Sequence, residues 1–282
     1  MRASGFVPVA VLAIAASLAA AGADNVLTPE ERRAGFRLLF DGKTMQGWQD
    51  PAKKNAPGDA WYVEDGCLKA RPDARIKEDL LTQQSFEDFE LTFDWFLSEN
   101  ANSGIKYRIQ KVVFMDDTKL QTGPDGYMAK LQRALTMPCC DRSALPAQGT
   151  ATEYPMGFEF QLLGQPPELT KVSKKPRITN GSLYAMAAPS AAPSRGPNQW
   201  NQGRLVVKGD HVEHWINGVQ VVGASLSSSE SQAGIREHWA AAPGYVELLL
   251  NAKRTGPFAL QHHPGNDIRF RNLKIRRLAE QR

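Results

Sequence analysis

The sequence predicts an all-β protein, a jelly-roll sandwich made of two antiparallel sheets. Apolar and polar residues alternate with a period of two in many short segments, which is typical of half-buried strands. Asp-Gly and Asn-Gly dipeptides separate pairs of these segments, at places where tight hairpin turns are expected. Helical periodicity is scarce by comparison, so the pattern favours a sandwich or jelly roll over a mixed α/β fold.

The first third of the chain is expected to contain one short helix and several strands. Pro29 follows Thr28 at the start of residues 28–35, and proline suits the first turn of a helix. An Asp65-Gly66 turn predicts a hairpin between the strands on either side of it. The strands expected in this part are residues 36–40, 61–64, 67–70 and 80–82.

Three central strands have polar residues along one face. Alternation is clear in residues 89–97, 105–110 and 158–162. If these strands lie in one sheet, they share a surface formed by Glu90, Asp94, Lys106, Arg108, Glu159 and Gln161. Such a mixture of donors and acceptors suits sugar hydroxyls. The simpler interpretation is an ordinary solvated face, because half-exposed antiparallel sheets present polar residues to water.

The remaining strands follow in the C-terminal part. Asn217-Gly218 is the strongest hairpin signal in the chain, because both residues tolerate the positive φ of a type I′ turn. Strands are expected at residues 204–208, 211–216, 219–222, 245–250 and 267–276. Segment 111–156 interrupts this rhythm and is interpreted as one long loop insertion in a single domain, with a short amphipathic helix over residues 127–135.

The N-terminus predicts export. Arg2 is followed by an apolar run over residues 6–20 and by Ala21-Gly22-Ala23, which fits a signal peptide of residues 1–23. Residues 24–282 then form the mature domain, in the periplasm or outside the cell. An uncleaved anchor is the alternative. No later stretch is long and apolar enough for a membrane span.

Charge and cysteine content narrow the function classes. The chain has 34 Lys and Arg against 30 Asp and Glu, and no basic helix is visible, so nucleic acid is not expected as a partner. Three cysteines without a CxxC spacing argue against a zinc–thiolate site. In an oxidising compartment Cys67 is expected to pair with Cys139 or Cys140.

Aromatic and histidine residues supply further candidates for a sugar site. Trp200 and Trp239 lie beside loops, where an exposed ring can stack on a sugar, although core packing is the alternative for each. His214 shares its strand face with apolar residues and is either a buried structural histidine or a functional one. His262 and His263 precede the last strand, where they either reach a ligand at the rim of the sandwich or have no role beyond the surface.

Eight motifs in order resemble the 3-keto-disaccharide hydrolase domain family over residues 35–278. The motifs are FRLLFDGK at 36–43 with Gly47-Trp48, NSGI at 102–105 with Tyr107-Arg108, GFEFQLL at 157–163, GSLY at 181–184, Trp200-Asn201, EHWING at 213–218, LQHH at 260–263 and FRNLKI at 270–275. The resemblance implies a concanavalin A-like jelly roll that acts on glycosides oxidised at C3. Its substrate is then a small molecule or an oligosaccharide.

The resemblance also implies a reaction and roles for residues. Members cleave 3-keto-glycosides by C2 proton abstraction, elimination at C1 and hydration, often with a divalent metal such as Ca²⁺ or Mn²⁺. Glu159 is expected as general base or metal ligand, and His263 as proton shuttle or metal ligand. Lys106 and Arg108 are expected to stabilise the charge of the enolate. The residues expected to bind substrate are Asn102, Arg108, Gln161, Trp200, Asn217 and Gln261.

The chain departs from the family pattern at three positions. Gly164 and His262 stand where the family has acidic residues, and Pro264 replaces a glycine. Besides the enzyme, two other functions are considered. One is a non-catalytic carbohydrate-binding module of the same fold. The other is a structural or adhesion sandwich, which is favoured if the insertion covers the polar face.

Overall fold

The computed structural model describes residues 24–50, 60–117, 120, 126–137, 145–147 and 149–278. The predicted signal peptide and both Cys139 and Cys140 lie outside these residues, so export and the disulfide stay predictions. Cys67 is buried. Five helices are α1 (Pro29–Arg33), α2 (Gly126–Ala134), α3 (Pro167–Lys171), α4 (Ser229–His238) and α5 (Pro243–Leu250), with a 3₁₀ turn at Pro176–Ile178.

Fourteen strands form two sheets in the described residues. The strands are β1 (Arg37–Leu38), β2 (Trp48–Gln49), β3 (Trp61–Glu64), β4 (Cys67–Ala70), β5 (Ile76–Glu78), β6 (Leu80–Thr82), β7 (Phe89–Leu97), β8 (Asn102–Asp116), β9 (Ala151–Leu163), β10 (Asn201–Lys208), β11 (His211–Ile216), β12 (Val219–Ser225), β13 (Ala259–Leu260) and β14 (Ile268–Arg277). Sheet A has the order β12-β11-β10-β7-β14-β4-β3, with β1 also paired to β14. Sheet B has the order β2-β6-β13-β8-β9-β5.

This architecture confirms the predicted all-β, concanavalin A-like sandwich. Every named strand pair is antiparallel except β5 with β9. Aromatic side chains join the two sheets. The ring of Phe93 in sheet A lies 6.1 Å from that of Phe160 in sheet B, in an edge-to-face arrangement. The core therefore lies between the sheets, and the opposite face of sheet B is free to form a site.

His214 belongs to this core. Its ring stacks on Phe160 at a centroid distance of 4.0 Å and an interplanar angle of 9°. Nδ1 lies 3.3 Å from the Gly181 carbonyl oxygen, and Nε2 lies 3.4 Å from the Tyr107 hydroxyl. Burial lowers the pKa of His214 to about 3, so the ring is neutral at pH 7. Of the two interpretations of this residue, the buried structural histidine is confirmed.

The two predicted turns are confirmed, whereas one segment predicted as a strand is a helix. The two predicted Gly turns form as expected, since Asp65, Gly66, Asn217 and Gly218 all have positive φ. Segment 245–250 was expected to be a strand but forms most of α5. Pro243 at the first turn and a run of leucines after Glu247 favour a helix over an alternating strand.

Segment 111–156 is not a loop throughout, because β8 and β9 extend into it. Residues 111–116 and 151–156 pair with each other and are called the distal arm below. The register of β8 shifts between Tyr107 and Lys111, at Arg108 with φ +50°. The predicted amphipathic helix in this segment is α2. None of the helices in the described residues is long and apolar enough to cross a membrane.

Sheet B curls around its outer face. β5 pairs with β9 at one side of β8, whereas β6 pairs with β13 at the other side. Only Asp79 separates β5 from β6 in the chain, so one residue bridges the two sides of the sheet. Because β5 pairs with the distal arm and is joined to β6 by one residue, the distal arm must bend towards β6. The outer face of sheet B is therefore concave.

Candidate active site

A row of three polar side chains crosses the concave face of sheet B. Lys106 on β8 lies directly opposite Glu159 on β9 in the antiparallel register. On the other side of β9, the backbone N–H of Tyr184 donates to the Glu159 carbonyl oxygen at 2.9 Å. Residues directly opposite each other on neighbouring strands share a face. The side chains of Lys106, Glu159 and Tyr184 are therefore neighbours.

A second row runs parallel to the first. Gln261 donates its backbone N–H to Gly104 at 2.9 Å, Gly104 lies opposite Gln161, and Gln161 donates its backbone N–H to Ser182 at 3.1 Å. Gly104 is the gap in this row. A Cβ atom there would lie 2.5 Å from Glu159 Oε1, so only glycine leaves room for the carboxylate.

Asp79 fixes the charge of Lys106. Its Oδ2 lies 2.8 Å from Lys106 Nζ, and its Oδ1 accepts the backbone N–H of His262 at 2.9 Å. Both side chains of the ion pair are buried. Burial opposes the charge on Lys106, but the carboxylates of Asp79 and Glu159 outweigh it and raise the pKa of the ammonium above its ordinary value. Lys106 is therefore a permanent cation.

Glu159 is tuned towards neutral pH. Burial raises the pKa of its carboxyl to about 7, against the opposing effect of Lys106, and the negative charge of Asp79 raises it further. The Gln261 side chain nearby lowers the pKa of the carboxyl instead. The carboxyl group consequently exchanges its proton in the pH range where an acid or base is most useful.

The aromatic side chains of Tyr127, Tyr154 and Tyr245 cover this face and are called the aromatic roof. Tyr154 of the distal arm lies with its ring 4.0 Å from Lys106 Nζ. The Tyr127 ring of α2 and the Tyr245 ring of α5 lie 6.3 Å and 6.1 Å from the Tyr154 ring. The Tyr245 hydroxyl donates to the Gly157 carbonyl at 3.1 Å, which ties α5 to β9. The roof excludes water from the ion pair and strengthens its electrostatics.

Buried polar atoms beneath the roof argue for a ligand. Glu159 Oε1, Gln261 Oε1 and Ser182 Oγ have no hydrogen-bond partner among the described residues. Native proteins leave few such atoms, and three of them on one face of the sheet indicate groups that await a partner. A covered face alone would favour the structural sandwich. These unpaired atoms favour a binding or catalytic site instead.

Several residues predicted for the site come together here. Lys106, Glu159, Gln161 and Gln261 lie in the two rows described above. Asn102 joins them, because its Oδ1 accepts from Gln161 Nε2 at 2.6 Å. His263 follows Gln261 by two residues, is exposed and makes a 3.2 Å contact from Nδ1 to the Asn266 amide. It therefore lies at the rim.

The expected single polar surface does not form. Glu90 and Asp94 are on β7, which belongs to sheet A, whereas Lys106 and Glu159 are on sheet B. Arg108 also leaves the surface, although it is two residues from Lys106 on the same strand. Its positive φ at the register shift redirects the side chain, and its guanidinium donates to the Gly209 carbonyl. Placing Arg108 beside Lys106 as an enolate ligand was therefore wrong.

Trp200 and Asn217 lie next to strands of sheet A and not beside Glu159. The side chain of Asn217 accepts the backbone N–H of Gln202 at 2.9 Å, which accounts for it as a turn residue. Trp200 carries the Arg271 guanidinium 4.0 Å above its ring. Neither residue contributes to the Glu159 cluster as predicted, because the motifs that contain them are on β10 and the β11–β12 hairpin.

Comparisons with known proteins show similarity over most of the chain. The model of the 3-keto-alpha-glucoside-1,2-lyase-like domain matches residues 35–276. The chain belongs to this family. A 3-keto-disaccharide hydrolase from Bacteroides thetaiotaomicron is 28% identical over 279 residues, which cover 92% of this chain and 84% of that protein.

Two solved structures are similar to this chain in fold. One protein of Parabacteroides distasonis, designated a glycosyl hydrolase, is 26% identical and has a TM-score of 0.65, with 91% of this chain and 100% of that chain covered. A second from the same organism is 20% identical with a TM-score of 0.57, covering 86% and 99%, and it supports the fold alone. The chain is thus a member of a carbohydrate-active hydrolase family with a concanavalin A-like fold.

Sequence reasoning missed Asp79, Ser182 and Tyr184 in this member of the 3-keto-glucoside lyase-like family. Ser182 and Tyr184 stand within the GSLY motif, so the signal was present without a role attached to it. Asp79 had no signal, because it is a single residue between two three-residue strands. Its importance comes from long-range pairing that no local pattern encodes.

The metal expected between Glu159 and His263 does not fit the residues there. Lys106 holds a positive charge beside Glu159, and His263 points to the exposed rim. Three buried carboxylates elsewhere can hold a metal: oxygen atoms of Asp50, Glu78 and Glu153 lie within 4.8 Å of one another. Oxygen donors of this kind suit Ca²⁺ or Mn²⁺.

Proposed function

We propose that the Glu159 cluster cleaves glycosides oxidised to a ketone at C3, by removing the C2 proton and expelling the C1 substituent. The observation that carries the proposal is a buried carboxyl with a pKa of about 7 and an unpaired oxygen, beside a permanently charged ammonium. A base of this strength is matched to neutral pH. Family membership supports the substrate class.

The first step creates an enolate. The C3 ketone acidifies the C2 proton, which passes to the unpaired oxygen of Glu159. The electron pair of the broken C–H bond forms the C2–C3 double bond, and the negative charge moves to the C3 oxygen. Lys106 stabilises that charge, because Asp79 keeps it protonated and the roof keeps water away.

The second step breaks the glycosidic bond. The enolate regenerates the C3 ketone while a C1–C2 double bond forms and the C1–O bond breaks. Tyr184 gives its hydroxyl proton to the departing oxygen; burial raises the pKa of this phenol to about 12, so the proton is present at neutral pH. Water then adds its hydroxyl to C1 and its proton to the Tyr184 phenolate, while Glu159 returns its proton to C2. The net reaction is hydrolysis.

The test is turnover of a 4-nitrophenyl 3-keto-glucoside, followed by release of nitrophenolate. Glu159→Gln is expected to lower kcat by about 10³-fold, since it removes a general base. Glu99→Gln, an exposed carboxylate in a turn, is the matched control and should behave as wild type. A substrate that carries deuterium at C2 should react more slowly, because the C2–H bond breaks in the first step.

A second outcome of the same assay would contradict the proposed reaction. Tight binding of sugars without turnover of any 3-keto-glycoside would overturn the enzyme proposal. A Glu159→Gln variant that loses only affinity would then identify the protein as a non-catalytic carbohydrate-binding module.

A further inference from the structure

A cavity adjoins the turn that contains Tyr184. Its volume is about 540 Å³, within the usual range of about 300–1,000 Å³ for small-molecule sites. Its lining includes Ala185, which follows Tyr184 in the chain, and His238 at the end of α4. The role proposed above for Glu159 makes no use of this space.

Tyr184 forms the boundary between this cavity and the Glu159 cluster. On one side, Tyr184 pairs through its backbone with Glu159. On the other side, its ring meets that of His238 edge-on, with centroids 5.0 Å apart and planes at 88°. His238 Nε2 has no hydrogen-bond partner among the described residues. The cavity therefore lies next to Tyr184, which the proposed function makes the proton donor for the leaving group.

The boundary is held by strained backbone. Ala185 has φ +65°, a left-handed conformation that is strained for a residue with a side chain. Its N–H donates to the Arg177 carbonyl at 2.7 Å. A methyl group at Gly234 of α4 would overlap the Ala185 carbonyl oxygen. Arg177 and Gly234, which both line the cavity, thus fix the backbone next to Tyr184. The position of Tyr184 in the Glu159 cluster therefore depends on the cavity lining.

The charge of the cavity wall is positive. Lys174, Lys175 and Arg177 line it, against one carboxylate, Glu237. Arg177 lies 3.5 Å from Glu237, an exposed contact of small energetic value. Within the residues that the structure describes, neither lysine has a carboxylate oxygen within 4.0 Å of its ammonium group. Two cations at the cavity are therefore available to a ligand.

We propose that this cavity binds the part of the substrate beyond the scissile bond, and that this part carries a carboxylate, as a uronic acid does. The proposal rests on the function proposed above, because it assigns the leaving group of that reaction. A carboxylate at this position meets Lys174 and Lys175, while the polar edge of His238 is available to a sugar hydroxyl.

Kinetics with two 3-keto-disaccharides that differ only in the leaving sugar, glucose or glucuronic acid, tests this assignment. The double variant Lys174→Gln/Lys175→Gln is expected to raise KM for the glucuronic acid substrate about tenfold, with kcat unchanged and KM for the glucose substrate unchanged. High salt should reproduce the change in the wild type. Lys43→Gln/Lys253→Gln removes two exposed lysines elsewhere and is the control.

Equal KM values for the two substrates in the wild type, or an equal rise for both in the double variant, would overturn the proposal. Calorimetric titration with the unoxidised disaccharide that ends in glucuronic acid separates this outcome from failure of the proposed reaction. Binding that weakens about tenfold in the lysine double variant supports the site even if no ketone is turned over. Absence of binding by the wild type contradicts it.

Discussion

The ammonium of Lys106 lies 2.8 Å from the carboxylate of Asp79, and both groups are buried under an aromatic roof. An unpaired buried charge is costly, and the carboxylate of Asp79 stabilises the charged form of Lys106. The pair also sets the proton affinity of Glu159, because Lys106 lowers its pKa and Asp79 raises it. The chemistry of the face therefore depends on a residue that need not touch the substrate.

The first prediction concerns the pH dependence of the reaction. The pKa of Glu159 is about 7, and only the deprotonated form can remove the C2 proton. We expect kcat/KM to rise as the pH increases through about 7 and then to level off. A profile measured from pH 5 to pH 9 checks this expectation. A rate independent of pH in that window would contradict the role of Glu159 as base.

The second prediction concerns Asp79→Asn. The amide can still accept the His262 N–H, but it no longer contributes negative charge. Because Asp79 raises the pKa of Glu159, its removal should move the rising limb of kcat/KM to lower pH. The measurement is the same profile on the variant. A lower rate with an unmoved limb would mean that Asp79 acts only through the fold.

The third prediction uses the gap at Gly104. Gly104→Ala places a Cβ atom 2.5 Å from Glu159 Oε1 and must displace the carboxylate. A shift of about 1 Å can cost about 10²-fold in rate, and we expect a loss of this order in kcat. Adding Glu159→Asp shortens the acid and should restore part of the activity. If Gly104→Ala keeps wild-type kcat, the carboxylate does not act from this position.

The fourth prediction concerns Tyr184→Phe. The ring contact with His238 is kept, while the proton donor for the leaving oxygen is lost. We expect kcat to fall strongly for alkyl glycosides and little for nitrophenyl glycosides, whose leaving group needs no proton. A comparison of the two substrate types measures this. An equal loss for both would indicate a role in binding and not in proton transfer.

The fifth prediction concerns acid stability and His214. Its pKa is about 3 in the fold against about 6.5 in the unfolded chain, so its contribution is complete above pH 6.5 and is lost as the pH falls towards 3. The loss is about 1.4 kcal/mol per pH unit. His214→Phe should be less stable at pH 7, because Tyr107 loses a partner, but should show a smaller decrease in acid. Urea unfolding at several pH values provides the measurement.

Local patterns predicted the fold well because strands, turns and one helix start carry their signals in short windows. The hairpins at Asp65-Gly66 and Asn217-Gly218 illustrate this, since each turn needs particular residues at adjacent positions. α5 escaped prediction because a short apolar run fits either a strand or a helix. The other features of the fold depend on strand register and sheet curvature, which are determined by residues far apart in the sequence.

The candidate site was predictable only where strand alternation was unbroken. Glu159, Gln161 and Lys106 followed the period of two and lie together as expected. Arg108 followed the same period, yet the register shift beside it redirected its side chain. Trp200 and Asn217 belong to family motifs that stabilise the opposite sheet. A motif therefore marks a position of importance without saying whether it serves the reaction or the fold.

Asp79 has a further consequence as the single link between β5 and β6. Its carboxylate reaches Lys106 only if β5 is docked on β9 and β6 on β13 at the same time. A chain in which either edge is still open would leave the lysine without its counter-ion. The tertiary structure and the ion pair between Asp79 and Lys106 therefore form together, so a partly assembled molecule lacks the charges that the proposed reaction needs.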